Sequence, residues 1–393
     1  MLQTKFITDI LGIEENIVKN HKRIDDRLEL QIELPIRAHN CPSCSYLTSV
    51  VHDYRTRTIK DIPFRGSIKT IIHYRQRRYV CPVCKKRLKE HQSFVPAYSR
   101  HTSQMNMYLY QQFNKEWSLK SIAQHSGVSA NKVHRLLKEF TIPAPSTLPR
   151  VISIDEFKGN AGRKFQFVIN DPVNKKILDI LPGRESHILS SYFRQFSKDI
   201  REKVLFVVMD MSKAFKSEVS TFFPNVTIII DKFHVVRYCT WSLEAIRKNG
   251  QKRLSADLRK FFKHSRKLLN KRASALKDEQ KEQTALMLQI LPELQSGYFL
   301  KEKFFSFIDS DNSSDARVRL KEFLFHAEVL NLPEYKAMVT MLKNWGKYIL
   351  NMFDHHLSNG FTEGKNNKIK VLKRNAYGFR NFENLRKRIL LMS

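Results

Sequence analysis

A multidomain α/β fold is predicted from three observations. Two Cys-Pro-x-Cys pairs lie in the N-terminal third, apolar strand-like runs that reach an aspartate lie in the middle, and a Lys/Arg-rich helical stretch separates those runs from a last polar helix. The expected order is an N-terminal zinc-binding module (1–95), a helix-turn-helix DNA-binding domain (96–140) and a linker (141–150). A ribonuclease-H-like core follows in two parts (151–234 and 351–393), interrupted by an all-α insertion domain (235–350).

The chain has 393 residues with 69 Lys plus Arg against 38 Asp plus Glu, a net charge of +31. A hydrophobic fraction of 42% excludes global disorder. No run of about 18 apolar residues offers a membrane span. The acid-bearing N-terminus argues against a secretory leader, so a cytoplasmic, nucleoid-associated protein is expected. The charge is clustered: residues 51–100 hold 13 basic against 3 acidic residues, 245–277 hold 12 against 1, and 361–393 hold 9 against 2. Three basic surfaces suit a protein that grips a long polyanion, most simply DNA, better than an enzyme for a small acid.

The pairs Cys41/Cys44 and Cys81/Cys84 can place four thiolates around one structural Zn²⁺, and the alternating segments between them read as strands. His52 and His91 are possible substitute ligands, and Cys239 reads as a packed thiol. In the segment 117–140, Ser118 caps a helix with Leu119, Ile122 and Ala123, Gly127 turns the chain, Val128 plugs the corner, and Ser129 caps a second helix with Val133, Leu136 and Leu137 inward. Its outer face offers Asn131, Lys132, His134, Arg135 and Lys138 to a DNA groove.

From residue 150 the pattern is three strands, helix, strand, helix, strand, which is the ribonuclease-H-like order. The first and fourth strands are then neighbours. Asp155 and Asp210 come together at their ends, where two repelling carboxylates favour a divalent cation between them. Asp231 ends the fifth strand and reads as a helix cap or a supporting residue. Glu156 points to the opposite side if its strand continues. The basic run 245–277 falls in the insertion, and Lys263, Arg266 and Lys267 are read as phosphate contacts. Ser358 or Asn359 starts a helix through Arg374. On it Glu363, Asn367, Lys370 and Arg374 share one face, while Phe361, Ile369 and Leu372 share another that turns toward a core.

The motifs HNCPSC, YVCPVC, ISIDEF, LFVVMDMSKAF, FPNVTIIIDKFHVVR and GFTEGKNNKIKVLKRNAYGFRNF, with the helix-turn-helix at 118–138, resemble bacterial insertion-sequence transposases of the ISL-three type over about residues 38–390. The resemblance implies a DDE triad, carried by motif onto Asp155, Asp210 and Glu363. It also implies two Mg²⁺ or Mn²⁺ ions per active site, binding of terminal inverted repeats and target DNA, and a homodimer in the DNA complex. The chemistry would be metal-assisted cleavage and strand transfer. Two alternatives stand beside it: a non-catalytic zinc/helix-turn-helix DNA-binding regulator, which loss of a triad acid would have favoured, and a nuclease that cuts without joining, which has no need of separate sequence readers.

Overall fold

The alternating apolar and basic residues of 51–80 fold as a long antiparallel hairpin, β5 (Val51–Phe64) and β6 (Ile68–Val80), turned by Arg65 and Gly66, both at positive φ. The computed structural model describes residues 17–263 and 265–392, so residues 1–16, read for a leader and included in the N-terminal module, lie outside it. Two short strands that the sequence reading did not anticipate, β1 (Val18–Ile24) and β2 (Arg27–Ile32), extend the sheet to the order β1-β2-β6-β5, with β2 parallel to β6 and β7 (Arg87–Lys89) also on β6. Leu28, Leu30, Ile32, Ile59, Ile72 and Tyr74 bury one face of that sheet. The small pair β3 (His39–Asn40) and β4 (Leu47–Thr48) carries the first cysteine loop.

Three helices follow: α1 (Ser103–Gln112), α2 (Leu119–Ser126) and α3 (Ala130–Glu139). The two caps form as read, with Ser118 Oγ accepting from the Ser121 N–H at 2.9 Å and Ser129 Oγ from the Lys132 N–H at 3.3 Å. Gly127 stands at φ +67 between α2 and α3, and Ile122, Ala123, Val133, Leu136 and Leu137 are buried together.

The chain divides into two compact units, Met1–Pro143 with Lys368–Ser393, and Ala144–Asn367. This corrects the expected domain plan at its C-terminal end. Residues 368–393, assigned to the core by motif order, pack with the N-terminal unit. Buried polar contacts hold them there. Arg388, on the last helix, is fully buried and donates to the carbonyls of Lys115 (2.7 Å) and Trp117 (2.9 Å), and Lys387 donates to those of Leu137 and Lys138 at the end of α3.

In the second unit the sheet order is β10-β9-β8-β11-β12, from β8 (Val151–Phe157), β9 (Gln166–Asp171), β10 (Lys176–Leu181), β11 (Phe206–Met209) and β12 (Thr227–Ile230). β8, β9 and β10 are antiparallel neighbours, while β8, β11 and β12 run parallel. Helices α4 (Ser186–Arg194), α5 (Lys198–Glu202) and α6 (Lys213–Phe222) connect them. The stretch expected as an insertion domain forms α7 (Lys232–Gln251), α8 (Ala256–Phe261), α9 (Arg266–Leu269), α10 (Asp278–Ile290), α11 (Pro292–Ile308), α12 (Ser313–Leu330) and α13 (Lys336–His355). These helices do not close a core of their own. Ile229 and Val207 of the sheet and Phe304, Leu342 and Phe353 of the helices belong to one hydrophobic cluster, and Asn351 on α13 donates to the Ile228 carbonyl of β12 at 2.7 Å. The boundary expected at 350/351 falls inside α13, because an apolar stripe that packs on a sheet leaves no break in the sequence.

The chain ends in α14 (Gly360–Asn375) and α15 (Phe382–Leu391). No helix among the described residues is long and apolar enough to cross a membrane.

Candidate active site and metal centre

β8 does not end at Asp155 but continues to Phe157, so alternation puts Ser153 and Asp155 on one face of the sheet and Ile152, Ile154 and Glu156 on the other. Glu156 pairs with Arg184 at 2.5 Å, away from Asp155. The parallel register pairs Val208 with Ser153 and Met209 with Ile230. Carried one or two residues further, it sets Asp155, Asp210 and Asp231 in a row across three adjacent strands.

Each acid has different company. Asp155 is buried; its Oδ1 accepts the Glu156 N–H at 2.7 Å and its Oδ2 accepts Asn366 Nδ2 at 2.9 Å. Burial pushes its pKa up to about 6 against the pull of that N–H and of His234, with the charges of Asp210 and Asp231 adding to the rise. Burial also raises the Asp210 carboxyl, whose Oδ1 has no hydrogen-bond partner among the described residues. Asp231 occupies the N-cap position of α7, but its side chain makes no cap bond. Instead it lies 3.2 Å from His234 Nδ1, close enough for charge pairing but off the hydrogen-bond line, and this contact raises the His234 pKa. Arg237, one turn further along α7, stacks on Trp241 and lends positive charge to the Asp210 side.

Helix α14 is anchored to this face by the residues around Glu363. Thr362 shares a 2.8 Å hydrogen bond with the Ser153 hydroxyl and accepts Asn170 Nδ2 at 2.8 Å, and Asn366 holds Asp155. Glu363, one residue after Thr362 and three before Asn366, rides on the flank of that contact, and Ile369 and Leu372 are buried as read. Sequence reasoning missed Ser153, Asn170, Thr362, His234, Arg237 and Asn366. The D-x-x-H-x-x-R spacing after β12, one polar face of α7, was the available signal for two of them.

The cysteines give a second, separate arrangement. Cys41 and Cys81 accept at their carbonyls from the N–H groups of Ser45 and Lys85, both at 2.9 Å, and Ser45 and Lys85 both take positive φ, so the two loops are copies of one turn. The sulfurs approach to 3.4 Å (Cys41–Cys84) and 3.5 Å (Cys44–Cys81), and all four lie within 4.8 Å of one another. Tetrahedral Zn–S bonds of about 2.3 Å need that spacing. Backbone N–H groups, first that of Ser43, pull the Cys41 thiol down to about 6, while the Cys44 thiol in the same cluster is raised to about 12. Among the described residues this is the one group of three or more His, Cys, Asp or Glu side chains gathered to hold a metal; His52 and His91 stay outside it, and Asp155, Asp210 and Glu363 are not drawn together to that degree.

Of the expected DNA contacts, Asn131, Arg135 and Lys138 are exposed on α3 and Lys132 is half-buried. His134, expected on the outer face, turns toward α15, 3.3 Å from Asn384 Nδ2, because the last helix covers that flank. Lys263, Arg266 and Lys267 are exposed, and Asn367, Lys370 and Arg374 lie on the exposed side of α14. Arg247, Arg253, Arg259, Lys271 and Arg272 from the same basic run are bonded within the fold.

Residues 152–389 match a transposase family model of the ISL3 type. The chain belongs to the ISL3-type transposase family. Residues 37–84 of this transposase also match the zinc-finger of the IS204/IS1001/IS1096/IS1165 transposases, so the four-cysteine module is a zinc ribbon that supports a structural Zn²⁺. The chain is 26% identical over 352 residues to the Bordetella parapertussis transposase for insertion sequence element IS1001, covering 87% of this chain and 86% of that one. It is 24% identical over 254 residues to the Mycobacterium tuberculosis transposase for IS1557, covering 59% and 57%. A stretch of 110 residues, 27% of this chain, is 34% identical to a Lactococcus lactis protein named an ATP-dependent protease, a span too short to carry an activity across.

Proposed function

We propose that the chain binds the terminal inverted repeats of an insertion sequence and catalyses strand cleavage and strand transfer, with Asp155, Asp210 and Glu363 as the catalytic carboxylates on a ribonuclease-H-like core. The observation that carries this is the row of acids on adjacent parallel strands with α14 pinned across it by Thr362 and Asn366. A buried and a half-buried carboxyl with raised pKa values and an unpartnered Asp210 oxygen fit hard divalent cations, Mg²⁺ or Mn²⁺. When bound, such ions supply an activated water and charge stabilisation at a phosphodiester.

The chain's own residues do the rest. Asn366 fixes the Asp155 carboxylate, and Thr362 fixes the helix that presents Glu363. Asp231 holds His234, and Arg237 balances charge beside Asp210. The helices α2 and α3 act as a helix-turn-helix whose Asn131, Lys132, Arg135 and Lys138 meet DNA, with His134 supporting from the flank. Lys263, Arg266, Lys267, Asn367, Lys370 and Arg374 meet phosphates, and the protein works as a homodimer on two ends. The zinc module, the helix-turn-helix and the linker keep the limits read from the sequence, and the sheet and the long helical stretch act as one catalytic unit up to Asn367.

The test is incubation of purified protein with Mg²⁺ and a labelled duplex of the end of its own element. Cleavage at the end, followed by joining to a second duplex, is expected. Binding without cleavage at any Mg²⁺ or Mn²⁺ concentration would leave the non-catalytic regulator.

A further inference from the structure

Tyr98 is fully exposed, and it stands at φ +57, a conformation that costs a bulky residue on the order of 1 kcal/mol or more. Among the described residues its side chain has no ring contact or hydrogen bond that would offset this. The loop around it is nevertheless firmly built. Arg57 donates to the Ser99 carbonyl at 2.8 Å, Ser99 Oγ donates to the His101 carbonyl at 2.9 Å, and the Lys60 N–H donates to the Arg100 carbonyl at 2.9 Å. The loop thereby covers one stretch of the free edge of β5 and leaves a groove of about 510 Å³ beside it, lined by Thr56, Arg57, Thr58, Tyr98, Ser99 and Arg100. No acid lines it, and Arg100 is exposed.

The strand and loop that frame this groove also reach the turn before the helix read as DNA-facing. Lys60 Nζ reaches the Gly127 carbonyl at 2.7 Å, in the turn before α3. Burial pulls the pKa of His101, next to Arg100, down to about 4, with the charges of Lys132, Lys60 and Arg135 adding to the fall. The surface from the strand edge to α3 is therefore cationic and hydroxyl-bearing, with one rigidly mounted aromatic ring at its tip. Duplex DNA matches all three features: phosphates for Arg100 and the threonines, and a groove wall or base step for the ring.

We propose that the Tyr98 loop is a second DNA-contact element of the end-binding unit, in which Arg100 holds a backbone phosphate and the Tyr98 ring packs into the minor groove beside the segment met by α3. The proposal rests on the reading of α3 as the DNA-facing helix.

The experiment uses full-length, zinc-loaded protein titrated against the element-end duplex and a scrambled duplex at several salt concentrations. Tyr98→Gly is expected to lose about 5- to 20-fold in affinity for the end. Its melting temperature should hold or rise, because glycine accepts positive φ. Tyr98→Phe should bind like the parent, and Arg100→Ala should weaken both duplexes and lower the salt slope by about 1. Parent-like binding by Tyr98→Gly overturns the proposal. Loss of affinity in Tyr98→Gly with none in Arg135→Ala keeps the loop and removes α3 as the reader. A parent protein that binds neither duplex overturns both.

Discussion

Asp155 shows how one side chain couples stability to chemistry. Its pKa in the fold, about 6, is above the ordinary value of 3.8, so the unfolded chain gives up the proton first as pH rises. Stability is therefore lost between about pH 4 and 6, by up to roughly 3 kcal/mol. His234 acts in the same direction: its contact with Asp231 raises its pKa, so its contribution is complete below the ordinary histidine range and fades as pH rises through the folded value. In metal-free protein Asp155→Asn should then raise the melting temperature at pH 8, and the gain should vanish near pH 4. A uniform effect at both pH values would show that burial of this charge is not the cause. With DNA and Mg²⁺, alanine at Asp155, Asp210 or Glu363 should abolish cleavage and leave end binding nearly intact, as read by gel shift and cleavage on one duplex; a mutant that still cuts removes its residue from the triad. The meeting of Asp155 and Asp210 on adjacent strands was legible because each follows a run of buried apolar residues. Asn366 and Thr362 were not, since an amide and a hydroxyl on a polar helix look like solvated surface until the helix is docked.

At the scale of elements, the turn between α2 and α3 depends on a backbone shape. Gly127→Ala would impose a side chain at φ +67 and set its Cβ 3.0 Å from Lys69 Cγ, so a loss of about 1 kcal/mol is expected in urea unfolding. The last helix depends on a charge. Arg388 is buried without a carboxylate partner among the described residues, and burial draws its pKa down to about 10. Arg388→Ala would strand two carbonyls and open a cavity, costing about 3 kcal/mol or more, and should release α15 from α3. Faster hydrogen exchange across 115–117 and 382–391 is the expected readout; unchanged exchange would mean that Lys387 and Leu385 suffice to hold the helix. The caps, the glycine turn and the cysteine knuckles were readable because local backbone chemistry dictates them. The docking of α15 was not, because a basic amphipathic helix near a chain end fits a solvated tail equally well.

For the whole molecule, the charge of +31 divides into work inside and outside the fold. Neutralising Lys263, Arg266 and Lys267 together should weaken binding to specific and scrambled duplexes alike and flatten the salt dependence, whereas Arg135→Ala should cost roughly 1–3 kcal/mol on the element end and less on random DNA. Equal losses on both duplexes for Arg135→Ala would reduce α3 to a phosphate clamp. Removing zinc, or Cys41→Ser, should unfold the ribbon, followed by metal analysis and circular dichroism. The sequence by itself determined the metal module, the strand order of the second unit's sheet and the acids at its centre, because cysteine spacing, period-2 and period-3.6 patterns and cap residues are local. Only the tertiary structure decided that the long helical stretch shares one core with the sheet, that residues 368–393 join the N-terminal unit, and that His134, expected on the outer face, meets protein. Those outcomes turn on which of several equally apolar faces meet, and packing between distant segments leaves no local mark in the chain.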